Sequence, residues 1–207
     1  MGSLITLSRE GQSRIEIKQS VFIGRAIPVS DSDEANAFVA AQRQTYPDAR
    51  HTVYAWKTSG DVNMQKYSDD GEPAGTAGMP VLSILEHNGI TNAAVAVTRY
   101  FGGILLGKGG LVRAYSEALK DAIDKSEFVN EIPAVIVEYK YAYNFDAKIA
   151  SYLRDNGIKI LGTEYSDSIN LKIALPEGDL EKTGADLVNI TNGSIEELSK
   201  EKCMYSF

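Results

Sequence analysis

Cysteine is almost missing from this chain: Cys203 is the one thiol in 207 residues. An internal disulfide is thereby excluded, as is a zinc site built from several thiolates. Long apolar runs are missing as well. No stretch approaches the roughly 18–20 apolar residues that a membrane helix needs. The first residues lack a basic segment followed by an apolar core, so a secretory leader is not expected. Histidine is scarce, with only His51 and His87. Basic excess is missing too, for the net charge is −7. These absences point to a soluble, cytoplasmic protein without a broad phosphate-seeking surface. Met1-Gly2 with Thr6 fits the loose N-myristoylation pattern, which needs so little that chance matches are common.

What is present is ordinary globular composition, 43% hydrophobic and 24% charged. The charge is uneven. Residues 1–130 carry 13 Lys and Arg against 15 Asp and Glu, and residues 131–207 carry 8 against 13. The balances are −2 and −5, so a nucleic-acid contact would come from a local cluster in the first part.

The pattern predicts two α+β domains, 1–130 and 131–207, joined by a linker near Ser126–Pro133. In the first, Ser13–Lys18 and Ser20–Val29 read as strands, and Ser30–Asp33 opens a helix that Pro47 closes. Thr52–Lys57 and Met64–Tyr67 read as a hairpin around Ser59-Gly60-Asp61. A helix from Pro80 to Gly89 follows, then a buried strand Ala93–Thr98. Leu111, Tyr115, Ala118, Leu119 and Ala122 recur at helical spacing. In the second domain, Val135–Tyr143 is a strand and Asn144 is placed to cap a helix that Gly157 stops. Two strands (Ile158–Tyr165, Ser168–Leu175), a helix (Leu180–Thr191) and a last strand (Ser194–Lys200) complete a ferredoxin-like βαββαβ order.

Two loops carry candidate chemistry. Asp69, Asp70 and Glu72 stand within four positions and can supply oxygen ligands to a hard cation, or simply rim a solvated turn. The spacing of an EF-hand is missing, and no metal is assigned. The second loop, Gly102–Gly110, joins a strand to a helix and is flanked by Arg99, Lys108 and Arg113. Free N–H groups at a helix start attract anions, and guanidinium pairs well with phosphate. Gly102, Gly103, Gly109 and Gly110 allow close backbone approach, to a ligand or to a packed strand. Neither a Walker loop nor G-x-G-x-x-G is present. Tyr100-Phe101 offers either stacking on a base or core packing. Arg50 and His51 are further candidates, with His51 a base only if Asp69 or Asp70 comes within reach. No G-x-S-x-G occurs, and Cys203 is read in a C-terminal tail without an adjacent histidine.

Three segments together carry a family resemblance. They are Gly75-Thr76-Ala77-Gly78-Met79-Pro80-Val81-Leu82, Val97-Thr98-Arg99-Tyr100-Phe101-Gly102-Gly103, and Leu106-Gly107-Lys108-Gly109-Gly110-Leu111-Val112-Arg113-Ala114-Tyr115. With Ser68-Asp69-Asp70-Gly71-Glu72-Pro73 they resemble the YigZ/IMPACT family in order and spacing. The likeness runs over roughly residues 15–125, and residues 134–195 are similar to the small C-terminal domain of the bacterial YigZ branch. The resemblance implies a first domain with the ribosomal-protein domain-2 fold, similar to domain IV of elongation factor G. It implies a second domain similar to domain V of that factor. It also implies a role in translation, since the eukaryotic IMPACT branch is a translation regulator. That branch's own N-terminal partner domain is not expected here.

The resulting expectation is a non-enzymatic binding protein contacting RNA or the ribosome through the glycine-rich loop, without a cofactor. One alternative is a hydrolase or transferase on a phosphorylated ligand held with a cation. Another is a protein-partner module using the acidic second domain.

Overall fold

The computed structural model describes residues 2–60 and 62–207. Met1 of the acylation pattern and Asp61 of the expected turn lie outside the described residues. The chain divides into two compact units, Leu4–Val129 and Asn130–Phe207, with Gly2 and Ser3 grouped with the latter.

The first unit contains β1 (Leu4–Leu7), β2 (Gly11–Ile17), β3 (Ser20–Pro28), α1 (Ser32–Thr45), β4 (His51–Thr58), β5 (Met64–Ser68), α2 (Gly78–His87), β6 (Ala93–Tyr100) and α3 (Gly107–Asp124). Its sheet runs β2-β3-β6-β4-β5, each neighbouring pair antiparallel. The central strand β6 is buried from Ala93 to Arg99. Period-two alternation sends Val95 and Val97 into the core shared with α2 and α3, where they join Leu82, Leu85, Leu111 and Leu119. Ala94 and Ala96 face the opposite way, into a smaller core under α1 with Phe38, Val39 and Trp56. Each large apolar side chain buried this way contributes about 1.5–3 kcal/mol.

Helix α1 starts where the hydroxyl- and acid-rich run predicts. Asp31 Oδ1 accepts N–H bonds from Asp33 and Glu34, both at 2.9 Å. Helix α3 begins earlier than its apolar spacing predicts. Gly107, Lys108, Gly109 and Gly110 form its first turn instead of the end of a loop. Glycine is a poor helix former, so local propensity hides this turn. Packing of Leu111, Tyr115 and Leu119 on the sheet overrides it.

The second unit holds most of β7 (Phe128–Tyr141), then α4 (Asp146–Asp155), β8 (Lys159–Tyr165), β9 (Ile169–Pro176), α5 (Leu180–Ile190) and β10 (Glu196–Tyr205). Strand β7 lies between β10 and β9, and β8 flanks β9, every pair antiparallel. That order is the ferredoxin-like plan. Val135 and Val137 of β7 and Leu171 and Ile173 of β9 share one core with helical Ile149, Leu153 and Leu187.

Three readings are corrected in this region. The expected linker is strand from Phe128 onward; Pro133 does not break it, because it lies just beyond Ala134, where the pairing of β7 with β9 ends. Asn144 does not cap α4; it sits in a 3₁₀ turn (Tyr143–Phe145), and the helix starts at Asp146. Cys203 is not in a free tail. It lies in β10 opposite Ala134. The exposed, highly charged β10 shows no apolar alternation to betray its length. Among the described residues, no helix is long and apolar enough to cross a membrane.

Candidate functional site

The candidate site lies at one end of the first unit's sheet. Phe22, Arg99 and His51 are register partners across β3, β6 and β4, so their side chains share one face. Residues between β5 and α2 fold back over this row. Asp70 and Gly71 both take positive φ, 45° and 85°. This left-handed step turns Glu72 inward, where its side chain is only 4% exposed.

Glu72 Oε1 accepts two strong bonds, one from Arg99 Nη1 and one from Tyr115 Oη of α3, each at 2.7 Å. The Arg99 side chain is 7% exposed. Its guanidinium sits 5.4 Å from the ring centres of both Phe22 and Phe101, and Nη2 reaches Ser20 Oγ at 3.4 Å. Arg99 Nε–H is buried and finds no acceptor among the described residues. Burial, then the bond to Glu72, pushes the Tyr115 hydroxyl far above the ordinary tyrosine range, so it stays a donor. Removing one partner of a buried ion pair of this kind costs about 3–5 kcal/mol, because the other charge is left uncompensated.

His51 closes the row. Its Nδ1 lies 2.8 Å from the Asp70 carbonyl oxygen. A carbonyl only accepts, so Nδ1 carries the proton and Nε2 of the neutral ring is an acceptor. Nε2 stands 4.0 Å from Glu72 Oε1.

Above this polar floor opens a cleft of about 410 Å³. Pro73, Phe101, Leu105, Leu106 and Leu111 form its apolar walls. Arg50 and Lys108 line it as well, both exposed and neither ion-paired with a described residue. Gly107 brings the start of α3 to the cleft, and that helix has no side-chain cap. The volume falls in the range of small-molecule pockets.

The structure therefore gathers Arg50, His51, Glu72, Arg99 and Lys108 from the expected residues and disperses the others. Asp69 is a structural cap. Its Oδ1 accepts N–H bonds from Ala77 and Gly78, and its Oδ2 one from Gly75, at 2.8–2.9 Å. Partial burial raises its pKa, but the three N–H donors outweigh that and hold it below the ordinary value. Asp70 binds Arg43 Nη2 and the Thr52 N–H, each at 2.6 Å. The three carboxylates thus diverge, and no metal-sized group of acids, histidines or cysteines occurs among the described residues.

Gly102 serves packing: a Cβ there would fall 2.0 Å from the Gln19 carbonyl carbon. Gly103 supplies a positive φ of 83°. Gly109 and Gly110 lie within α3, outside the cleft lining, and Arg113 lines a separate shallow groove with Ser116 and Glu117. Tyr100 packs edge-on against Tyr46. Sequence reasoning missed Tyr115, read as a core residue, and the Leu105–Leu106 wall. A buried tyrosine at a helical core position needs a hydroxyl partner, which is the one signal that could have flagged it.

Comparison with known proteins follows the same division. The pattern described as the Impact N-terminal domain matches residues 18–123. A domain of unknown function (DUF1949) matches residues 142–194. The IMPACT family member YigZ of Escherichia coli (strain K12) is 35% identical over 189 residues, covering 90% of this chain and 93% of that protein. The IMPACT family member YvyE of Bacillus subtilis (strain 168) is 31% identical over 191 residues, covering 92% and 88%. A crystal structure of a hypothetical protein, 34% identical, superposes with a TM-score of 0.66 over 96% of this chain and 98% of that one. With both units matched in order and relatives aligned along nearly the whole length, this chain belongs to the YigZ/IMPACT family.

Proposed function

We propose that this protein is a non-enzymatic binding protein of translation regulation that contacts RNA at the cleft of its first unit. The translational role rests on the family, whose IMPACT branch acts there. The RNA contact rests on one observation: an apolar, aromatic-walled cleft lined by Arg50 and Lys108, two cations without an ion-pair partner among the described residues. Exposed Phe101 offers a base a stacking surface, and the uncapped start of α3 adds N–H groups suited to phosphate. A cation-dependent hydrolase draws no support from the loop, because Asp69, Asp70 and Glu72 are already spent on backbone N–H groups, arginines and Tyr115.

Of the three cations expected to meet phosphate, Lys108 is kept, Arg99 and Arg113 are set aside, and Arg50 joins it. Fluorescence anisotropy with a short labelled single-stranded RNA across a salt series tests it. Wild type should bind at micromolar concentration and weaken as salt rises. The Arg50→Ala/Lys108→Ala double variant should lose roughly tenfold in affinity and flatten the salt slope by about 1.4, near 0.7 for each phosphate contact removed. Identical affinity and slope in the double variant would dismiss the cleft as the RNA contact.

A further inference from the structure

We infer that the second unit pairs with a second copy of this chain through the outer edge of β8, in one antiparallel register that sets Lys159 of each copy against Glu164 of the other. The surface lies outside the cleft, so the inference stands apart from the RNA reading. Strand β8 has one strand partner, β9, and its outer edge therefore presents unpaired N–H and C=O groups. The two edges of this sheet differ. Along β10, at the opposite edge, Glu196, Glu197, Lys200, Glu201 and Lys202 are all exposed, and charge of that density blunts an edge. Strand β8 instead exposes Ile160 (45%), Leu161 (38%) and Tyr165 (64%). Its charged residues are Lys159 and Glu164, both exposed and neither ion-paired with a described residue.

The register follows from the face each side chain takes. Ile169, Leu171 and Ile173 of β9 belong to the core. Their register partners Tyr165, Thr163 and Ile160 therefore lie on the core face. Asn170, Lys172 and Ala174 lie on the opposite face, together with their partners Glu164, Gly162 and Lys159. The register shift between Ile160 and Gly162 makes Leu161 the extra residue of a bulge. In a regular strand Lys159 and Glu164, five positions apart, would alternate onto opposite faces. The bulge puts them on one face.

Two copies meeting edge to edge about a two-fold axis normal to the sheet run antiparallel and keep their faces aligned. Setting Lys159 against the second copy's Glu164 joins two side chains of the same face, and it brings Ile160 against Thr163 on the core face. Sliding the second copy by one residue sets Lys159 against Tyr165 or against Thr163, on opposite faces. The symmetry repeats every contact, so one Lys–Glu pair becomes two. Opposite charges facing each other across a strand pair are favourable, and like charges are not. The pairing consumes the β8 edge of both copies, and the charged β10 edge offers no continuation, so assembly closes at two chains.

Sedimentation velocity of the full chain over a concentration series at low salt tests this. Wild type should move from the mass of one chain toward that of two as concentration rises. Lys159→Glu and Glu164→Lys each set like charges opposite one another twice and should weaken the dimer roughly tenfold. Both positions are exposed, so thermal melts should match wild type. Mixing the two single variants restores opposite charges at both contacts and should recover wild-type association as a heterodimer. Wild type that stays a single chain throughout would overturn the proposal, and would leave the edge to an extended strand of another protein. A dimer indifferent to both single changes uses another surface and would overturn it as well. Single variants that stay apart when mixed would overturn the pairing of Lys159 with Glu164.

Discussion

The two units differ in the polar groups they bury: among the described residues, the buried ion pair lies in the first. In the second, the buried polar residues are Thr183 and Thr191, and Thr191 satisfies itself locally through the Leu187 carbonyl at 2.8 Å. In the first, buried Glu72, Arg99, Thr98 and Gln42 draw their partners from distant strands and helices. Local satisfaction needs no tertiary design. A charge pair assembled from β6, α3 and a loop carries a desolvation penalty and a requirement for geometry. The comparison locates the candidate site: it is where the protein keeps charge inside although an apolar core would serve stability as well.

Substitutions can break this contrast, starting with the ion pair. Glu72→Ala leaves the Arg99 charge buried and Tyr115 without an acceptor, and should cost about 3–5 kcal/mol of unfolding free energy in urea. Replacing both partners, Glu72→Leu with Arg99→Met, should recover most of that loss. A cost below about 1 kcal/mol for the single change would mean that the pair is solvated.

Asp69, close by in the same loop, sharpens the comparison, because its work is structural. Asp69→Ala should cost about 1 kcal/mol, as other lost helix caps do, with RNA binding unchanged. Its folded pKa lies below the unfolded value near 4. The carboxylate's contribution is therefore complete above that pH and fades as pH falls through the folded value. The gap between wild type and Asp69→Ala should hold constant from pH 7 to about 5 and narrow below about 4. A gap that widens in acid would contradict the cap.

In the second unit, Thr191→Val removes a hydroxyl shared locally between the Leu187 and Val188 carbonyls and should cost about 1 kcal/mol by thermal denaturation. A penalty as large as that of Glu72→Ala would erase the distinction between the units. The smallest effect is expected at Gly109, where an added Cβ meets only Arg113 Nη1 at 4.0 Å. Gly109→Ala should stabilise α3 by about 0.5 kcal/mol without weakening RNA binding. A loss of binding would show that the ligand does approach the Gly109 backbone.

Legibility in the sequence followed physical range. Strands β3, β4, β6 and β9 and helices α1, α2 and α5 announce themselves through period-two or helical patterns and caps, and they appear close to the expected bounds. The start of α3 did not, because glycines at its first turn argue for a loop. The length of β10 did not, because an exposed edge strand needs no apolar face. At the site, Arg99, His51 and Glu72 were recognisable as chemistry-bearing residues. Their grouping was not, since 21 positions separate His51 from Glu72 and 27 separate Glu72 from Arg99.

By itself, the sequence determined the α+β class, the ferredoxin-like order of the last strands and helices, and the family. Those follow from local periodicity and from motifs read in line. Only the tertiary structure decided that Arg99 faces Glu72 instead of a ligand, that Asp69 caps a helix, and that Arg50 and Lys108 share a cleft with Phe101. Each of those is a choice among partners of a charged side chain. Such choices are settled by strand register and by a left-handed turn at Asp70-Gly71, which no single stretch of sequence spells out.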